Sequence, residues 1–235
     1  MNKEVLKVTR SEEKYFISIP DKYFLMKSLK NILQEDSFGD HGFYKVRTLY
    51  FDNPTNKDYL DKVNNTPSRK GIRLRTYFPK SNFAKIEVKM KNPEIDNKIS
   101  LKISQEDAKE IINLNYDVLK NYSNKKALEI YNILTEENYK PVIVIAYNRK
   151  AFDSREYGLR ITIDNNLEYN NHNFDIFDPN LTLTPLCSFS ENILEIKTEK
   201  ILPLNIQTIL DSIEKIDKAS SKYKRSRFFL NSSLF

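Results

Sequence analysis

Cysteine occurs once in this sequence, at Cys187, histidine only at His41 and His172, glycine four times, and tryptophan not at all. A lone cysteine excludes an intramolecular disulfide and a thiolate metal cluster, and its "LTPLCSF" setting reads as a small buried hydrophobe. Two histidines in turn-like polar surroundings leave no material for a histidine-dependent triad, an H-E-x-x-H zinc site or a two-histidine metal face. Gly39, Gly42, Gly71 and Gly158 are too scattered for a phosphate loop or a dinucleotide fingerprint, so any bound phosphates must be held by side chains. Long apolar runs are also missing. No segment approaches the roughly 18 apolar residues of a membrane span, and "MNKEVLKVTR" has no signal-peptide core. A cytoplasmic location is the default expectation, with a membrane partner left open.

What remains is a chain with 40% apolar and 30% charged residues and a formal charge of +6, the composition of a globular protein with some affinity for anions. Period-two alternation predicts eight strands, near 8–19, 44–52, 71–78, 83–91, 97–103, 141–150, 158–165 and 193–198. Helices are predicted at 21–35, after Pro20 and Asp21, and at 105–114, where Ser104 and Asp107 have capping-box spacing. Two more follow at 124–138, with Leu128, Tyr131 and Ile133 or Leu134 on one side, and at 203–216, with Ile206, Ile209, Leu210 and Ile213. No linker or repeat divides the chain, which predicts a single domain with a helical insertion near 104–140. The predicted fold class is α+β: a closed or nearly closed antiparallel sheet, an eight-stranded barrel when closed, with helices packed outside it.

The two faces of these strands differ sharply. In "FAKIEVKMK" Lys85, Glu87, Lys89 and Lys91 alternate with Ala84, Ile86, Val88 and Met90. "RKGIRLRTY" sets Arg69, Arg73, Arg75 and Tyr77 against Ile72 and Leu74, and "GLRITID" and "ILEIK" follow the same rule. Across the strands the charged faces collect Arg10, Lys14, Arg73, Arg75, Lys85, Lys89, Lys91, Lys98, Lys102, Arg149, Arg160 and Lys197 against only Glu12, Glu87, Asp164 and Glu195. Strand 44–52 alternates poorly and its faces stay unassigned. A half-solvated sheet would also alternate. Two features argue otherwise: like charges opposite one another across strands are destabilising, and helices need the apolar face to cover. Helices outside and charges inside would close the sheet into a cationic tunnel, whose charge an anionic ligand, or water and counterions until it arrives, must offset.

In order and over nearly the whole chain, "RSEEKYFI" (10–17), "TLYFD" (48–52), "RKGIRLRTY" (69–77), "KIEVKMK" (85–91), Lys98, "YNRKAF" (147–152), "LRITID" (159–164), "ILEIK" (193–197) and "SKY" (221–223) resemble the VTC domain of polyphosphate polymerases. That family belongs to the triphosphate tunnel enzymes. The resemblance implies transfer of the γ-phosphoryl group of ATP, or another nucleoside triphosphate, onto pyrophosphate or a growing polyphosphate chain, with Mn²⁺ or Mg²⁺ as cofactor. By position it implies phosphate-binding roles for Lys14, Arg73, Arg75, Lys89, Lys98, Arg149, Arg160 and Lys222, and a metal-binding role for Glu195. Arg10, Arg69, Lys91 and Lys197 are weaker candidates for substrate contact. Glu12 and Glu87 either support the metal or hold neighbouring cations, and the latter is favoured.

Two other readings stay open. Hydrolytic tunnel enzymes typically begin with E-x-E-x-K, whereas the corresponding face here reads Arg10, Glu12, Lys14, which loses one metal ligand. A non-catalytic polyanion receptor is the third reading. The charged faces carry few aromatic side chains for base stacking, which argues against nucleic acid as the partner.

Overall fold

Apolar residues at alternate positions can be buried together only if each strand turns one side to a layer of helices, and the backbone realises that arrangement. A computed structural model describes residues 11–36, 42–78, 81–94, 96–186 and 191–232. Arg10, His41 and Cys187 lie outside the described residues. The first half of the chain contains β1 (Ser11–Ile17), α1 (Ile19–Lys30), β2 (Gln34–Glu35), β3 (Tyr44–Asp52), α2 (Lys57–Val63), β4 (Arg69–Phe78), β5 (Phe83–Lys91) and β6 (Asp96–Ser104). There follow α3 (Gln105–Ile112), a 3-10 turn (Tyr116–Asn121), α4 (Lys125–Glu136), β7 (Lys140–Ser154) and β8 (Leu159–Asn170). The chain continues with β9 (Thr184–Pro185), β10 (Asn192–Thr198), α5 (Leu204–Asp211), β11 (Asp217–Lys218) and α6 (Lys222–Ser232).

The fold is mixed α+β with a large antiparallel sheet. Its strand order is β11-β1-β10-β8-β7-β3-β4-β5-β6, with β2 beside β7 and β9 beside β8, eleven strands in all. Two features correct the expectation of an eight-stranded closed barrel. The additional strands are two-residue ladders, too short to leave a periodic signal. The order also has two ends, with no ladder joining them among the described residues. At one end, β6 exposes Lys98 and Lys102, and charged side chains are a usual means of keeping an edge strand from pairing further.

The chain divides into two compact units. The first comprises the described residues of Met1–Tyr44, Asn148–Asn166 and Cys187–Ser220. Here β1 pairs with β10 and β10 with β8, so that Lys14, Glu195 and Thr162 form one cross-strand row and Glu12, Lys197 and Arg160 the next. On the opposite face Ile17, Ile161, Ile163, Leu194 and Ile196 pack with Leu25 and Leu29 of α1 and Ile206 and Leu210 of α5. Helix α1 starts earlier than predicted because Ser18 caps it, its Oγ accepting from the Asp21 amide at 3.1 Å with Pro20 in the first turn. It ends at Lys30, and Gln34 and Glu35 pair instead with Asp153 and Phe152.

The second unit comprises the described residues of Lys45–Tyr147, Leu167–Leu186 and Ser221–Phe235. Its apolar face, with Leu49, Ile72, Leu74, Ile86, Val88, Ile99 and Leu101, is covered by α3, the 3-10 turn and α4. Each such side chain fully buried contributes roughly 1.5–3 kcal/mol, so the apolar face decides the side on which the cations emerge. The Ser104 cap is as read: its Oγ accepts from the Asp107 amide and donates to the Asp107 carboxylate, both at 3.0 Å. The poor alternation of β3 has a tertiary cause. Arg47 lies buried, donating to the Ile176 carbonyl at 3.2 Å, which puts a cation on the apolar side.

Helix α4 corrects the predicted phase. Ala127, Ile130 and Leu134 are buried, whereas Leu128 is 55% exposed. Helices α2 and α6 and the 3-10 turn were absent from the sequence reading; "SKYKRSRFF" reads as a basic tail, yet Tyr223, Ser226 and Arg227 are buried. Among the described residues no helix is long and apolar enough to cross a membrane.

The phase of α4 predicts a contrast measurable by denaturant unfolding. Leu134→Ala should lower stability by about 2–5 kcal/mol through a cavity, and Leu128→Ala should change it by less than about 0.5 kcal/mol.

Candidate functional site

In the second unit the site is built on β3, β4, β5 and β6, whose register brings like side chains into rows. Arg73 faces Glu87, and Glu87 faces Ser100; one row away Gly71, Lys89 and Lys98 align. Gly71 leaves room at this point: a Cβ there would lie 2.8 Å from Lys62 Nζ. The result is a single carboxylate ringed by cations. Arg73 Nε donates to Glu87 Oε2 at 2.7 Å, Lys98 pairs with Glu87 Oε1, and Arg75 NH1 stands 4.0 Å from the same carboxylate. Arg75 is further positioned by Thr48, whose Oγ1 accepts from Nε at 3.3 Å.

The protonation equilibria follow from this crowding. Burial raises the Glu87 pKa, but Arg73, Arg75 and Lys98 outweigh it and hold the carboxyl far below the usual range. Burial pushes the Lys98 ammonium down; Glu87 opposes that, while Arg73 and Arg75 add to it. Burial also disfavours the Arg73 charge, and Glu87, Tyr50 and Tyr147 more than offset it. One buried carboxylate cannot neutralise three cations, which leaves a net positive face suited to phosphate oxygens.

Lys222 joins this unit through the first turn of α6, its Nζ 4.7 Å from the centre of the Tyr147 ring. The next residue fixes the helix. Tyr223 stacks on Tyr50 at 4.8 Å and donates to Asp52 Oδ2 at 2.6 Å. Asp52 in turn accepts from the amides of Asp58 and Tyr59, both at 3.0 Å, at the start of α2. Other candidates lie toward the margin: Lys89 is 3.5 Å from Asp96, Arg69 donates to the Thr66 carbonyl at 3.0 Å, and Lys91 sits opposite Arg69 in the ladder.

In the first unit the polar face gathers a second cluster. Glu195 Oε1 is 2.8 Å from Lys197 Nζ and 3.9 Å from Lys14 Nζ, and its Oε2 is 3.9 Å from Arg149 NH2. Arg149 makes a two-bond fork with the fully buried Asp164, Nε to Oδ1 and NH2 to Oδ2, both 2.7 Å. Glu12 pairs with Lys14 and stands 3.8 Å from Lys197. Its carboxyl is raised by burial and by Glu195, yet Lys14 and Lys197 bring it below the ordinary value.

Arg160, although cross-strand from Lys197, directs its guanidinium to other carboxylates. Its NH1 donates to both oxygens of Asp153 at 2.7 and 2.6 Å and its NH2 to Asp36 at 2.7 Å, on the wall of an open cleft of about 460 Å³ that also takes in Lys197 and Arg155. Two carboxylates already satisfy its fork. The sequence reading did not identify Asp36, Asp153, Thr48, Tyr147, Tyr223 or Asp52 as neighbours of these cations. Only Asp164 carried a signal, its place on a charged strand face.

Among the described residues no group of three histidine, cysteine or acidic side chains is arranged to hold a metal ion. The donor set of Glu195 and Glu12 suits a hard divalent cation that takes one or two carboxylates from the protein and its other oxygens from phosphate and water.

The depressed Glu87 carboxyl has a consequence for acid stability. A group with a folded pKa below its unfolded value of about 4.5 contributes stability above that value, and the contribution drains away as pH falls below it. Denaturant midpoints measured from pH 7 down to pH 3 should therefore decline for the wild type, and Glu87→Gln should be less stable at pH 7 but decline less steeply.

The VTC domain family matches residues 9–231. No curated protein sequence matches the chain. Among solved structures, the fold is similar to that of a Bacillus halodurans protein provisionally named an adenylate cyclase, with a TM-score of 0.55 and 14% identity over 93% of this chain and 96% of that one. Two proteins from Pyrococcus horikoshii OT3 have TM-scores of 0.45 and 0.44 at 12% identity, covering 94% and 92% of this chain and 99% and 98% of theirs. At such identities the likeness concerns the fold alone. The family match spans nearly the whole chain and takes in both charged strand faces, and the chain belongs to the VTC domain family.

Proposed function

We propose that this protein is an ATP-dependent inorganic polyphosphate polymerase, transferring the γ-phosphoryl group of a nucleoside triphosphate to the end of pyrophosphate or a polyphosphate chain. The observation that carries the reading is the excess of cations around Glu87, in a chain whose family match is continuous from residue 9 to 231. The continuity of that match also favours one functional domain, with α3, the 3-10 turn and α4 as its helical insertion.

Phosphoryl transfer asks a protein for alignment and charge stabilisation more than for a nucleophile. Arg73 and Arg75 are proposed to grip phosphate oxygens with planar forks, Lys98, Lys89 and Lys222 to neutralise charge, and Lys14, Arg149 and Arg160 to bind phosphate from the first unit's strands. Asp164 holds Arg149 in place, and Glu87 orients Arg73, Lys98 and Arg75 in advance of substrate. Arg160 must exchange Asp153 or Asp36 for a phosphate, which makes its contribution the smallest of the arginines. The acceptor phosphate is already an anion and needs no general base. Mn²⁺ or Mg²⁺ bound at Glu195, with Glu12 in support, would supply a Lewis acid for the phosphate oxygens.

Incubation of purified protein with ATP and Mn²⁺, resolved on a gel that separates phosphate polymers, should show long chains. Release of only ADP and orthophosphate would establish a hydrolase instead. Arg75→Ala and Glu195→Gln should each reduce turnover by about a hundredfold or more, in the range for losing a preorganised electrostatic contact, while circular dichroism shows the fold intact. Full activity in both variants would refute the assignment.

A further inference from the structure

Beside the Glu87 cluster lies a row of cations with no carboxylate in it. Arg75 of β4 pairs in register with Lys85 of β5, and Lys85 with Lys102 of β6, so three positive side chains stand directly across adjacent strands on one face. Such juxtaposition is unfavourable without a compensating negative charge. Among the described residues neither Lys85 nor Lys102 has an acidic side chain within ion-pair distance. Each ammonium is instead held over an aromatic ring: Lys85 lies 5.7 Å from the Tyr77 centroid and Lys102 lies 4.2 Å from that of Phe83. The two rings contact each other at 6.4 Å. A ring quadrupole steadies a cation without cancelling its charge, unlike a carboxylate. Lys102 is exposed and Lys85 half-buried, so both remain open to an incoming anion.

We propose that Arg75, Lys85 and Lys102 form an additional phosphate subsite, which takes a unit of a polyphosphate chain beyond those bound by Arg73 and Lys98. The inference rests on the functional reading above and adds to it a substrate preference: linear chains longer than tripolyphosphate bind more tightly. A phosphate unit presents several anionic oxygens to three cations in a line, and Arg75, shared by the row and the Glu87 cluster, connects the two. A purine ring would have to displace both lysines from the aromatic faces, which makes phosphate the better fit.

The test is calorimetric titration of the wild-type protein with tripolyphosphate and with a linear polyphosphate of defined, much greater length. A Lys85→Gln/Lys102→Gln variant and a Lys125→Gln/Lys126→Gln control, which removes the same charge from the exposed start of α4, are titrated in parallel. The long chain should lose roughly tenfold or more in affinity for the first variant, the scale of one charge-assisted contact, with tripolyphosphate changed by less than about threefold. The control should retain the chain-length preference, and Lys85→Arg/Lys102→Arg should restore it. Equal losses for both ligands, or equal losses in the control, would overturn the subsite and leave the functional reading standing. Failure of the wild-type protein to bind either phosphate would overturn both.

Discussion

The structure depends on concentrating positive charge on one side of strands whose other side is mainly apolar. Around Glu87 this is carried to its limit: Arg73, Arg75 and Lys98 share one buried carboxylate, and the charge imbalance is tolerable only because each cation has a specific partner or partial access to solvent. Taking an ion out of water costs several kcal/mol unless it is compensated. Glu87 supplies part of that compensation, and in the proposed function a phosphate supplies the remainder. Under the proposed function such a face would need little rearrangement to receive phosphate, which is the condition for electrostatic stabilisation of a transferring group.

The arginines of the two units are not equivalent, although the sequence places them in similar alternating patterns. Arg73 shares its carboxylate with two other cations, Arg149 forks onto the buried Asp164, and Arg160 bridges two aspartates. This ordering reflects the distribution of acidic residues across the neighbouring strands and loops. A fork already saturated by aspartates is a poorer phosphate ligand than one held by a shared carboxylate. Aromatic rings provide a third means of keeping cations in place, seen at Lys222 over Tyr147 and at Lys102 over Phe83.

The C-terminal segment shows how a basic run acquires a defined place. In sequence "SKYKRSRFF" offers only charge, yet its Tyr223 reaches Asp52 and stacks on Tyr50, and Arg227 donates to Asn56 at 2.6 Å. Asp52 is also the acceptor for the first amides of α2, so one buried carboxylate ties together the end of β3, the start of α2 and the helix that bears Lys222. The position of a candidate phosphate ligand is thus set by residues about 170 positions away in the chain.

The eight longer strands, the faces of all but β3 and the Ser104 cap were legible in the sequence because each rests on local geometry: a two-residue period in the strands, and a side chain reaching an amide three residues on. The excess of arginine and lysine on the polar faces was legible for the same reason. Other features depended on tertiary contacts. The phase of α4 turns on whether Leu128 or Ala127 and Ile130 join Leu134 against the sheet, and Arg47 takes an apolar-side position because carbonyls of a distant loop await it. The pairing of Arg160 with Asp36 and Asp153, the docking of α6, the two-residue ladders and the open strand order likewise come from segments meeting in space. Alternation determines which way a side chain points from its own strand, but it carries no information about what that side chain will face.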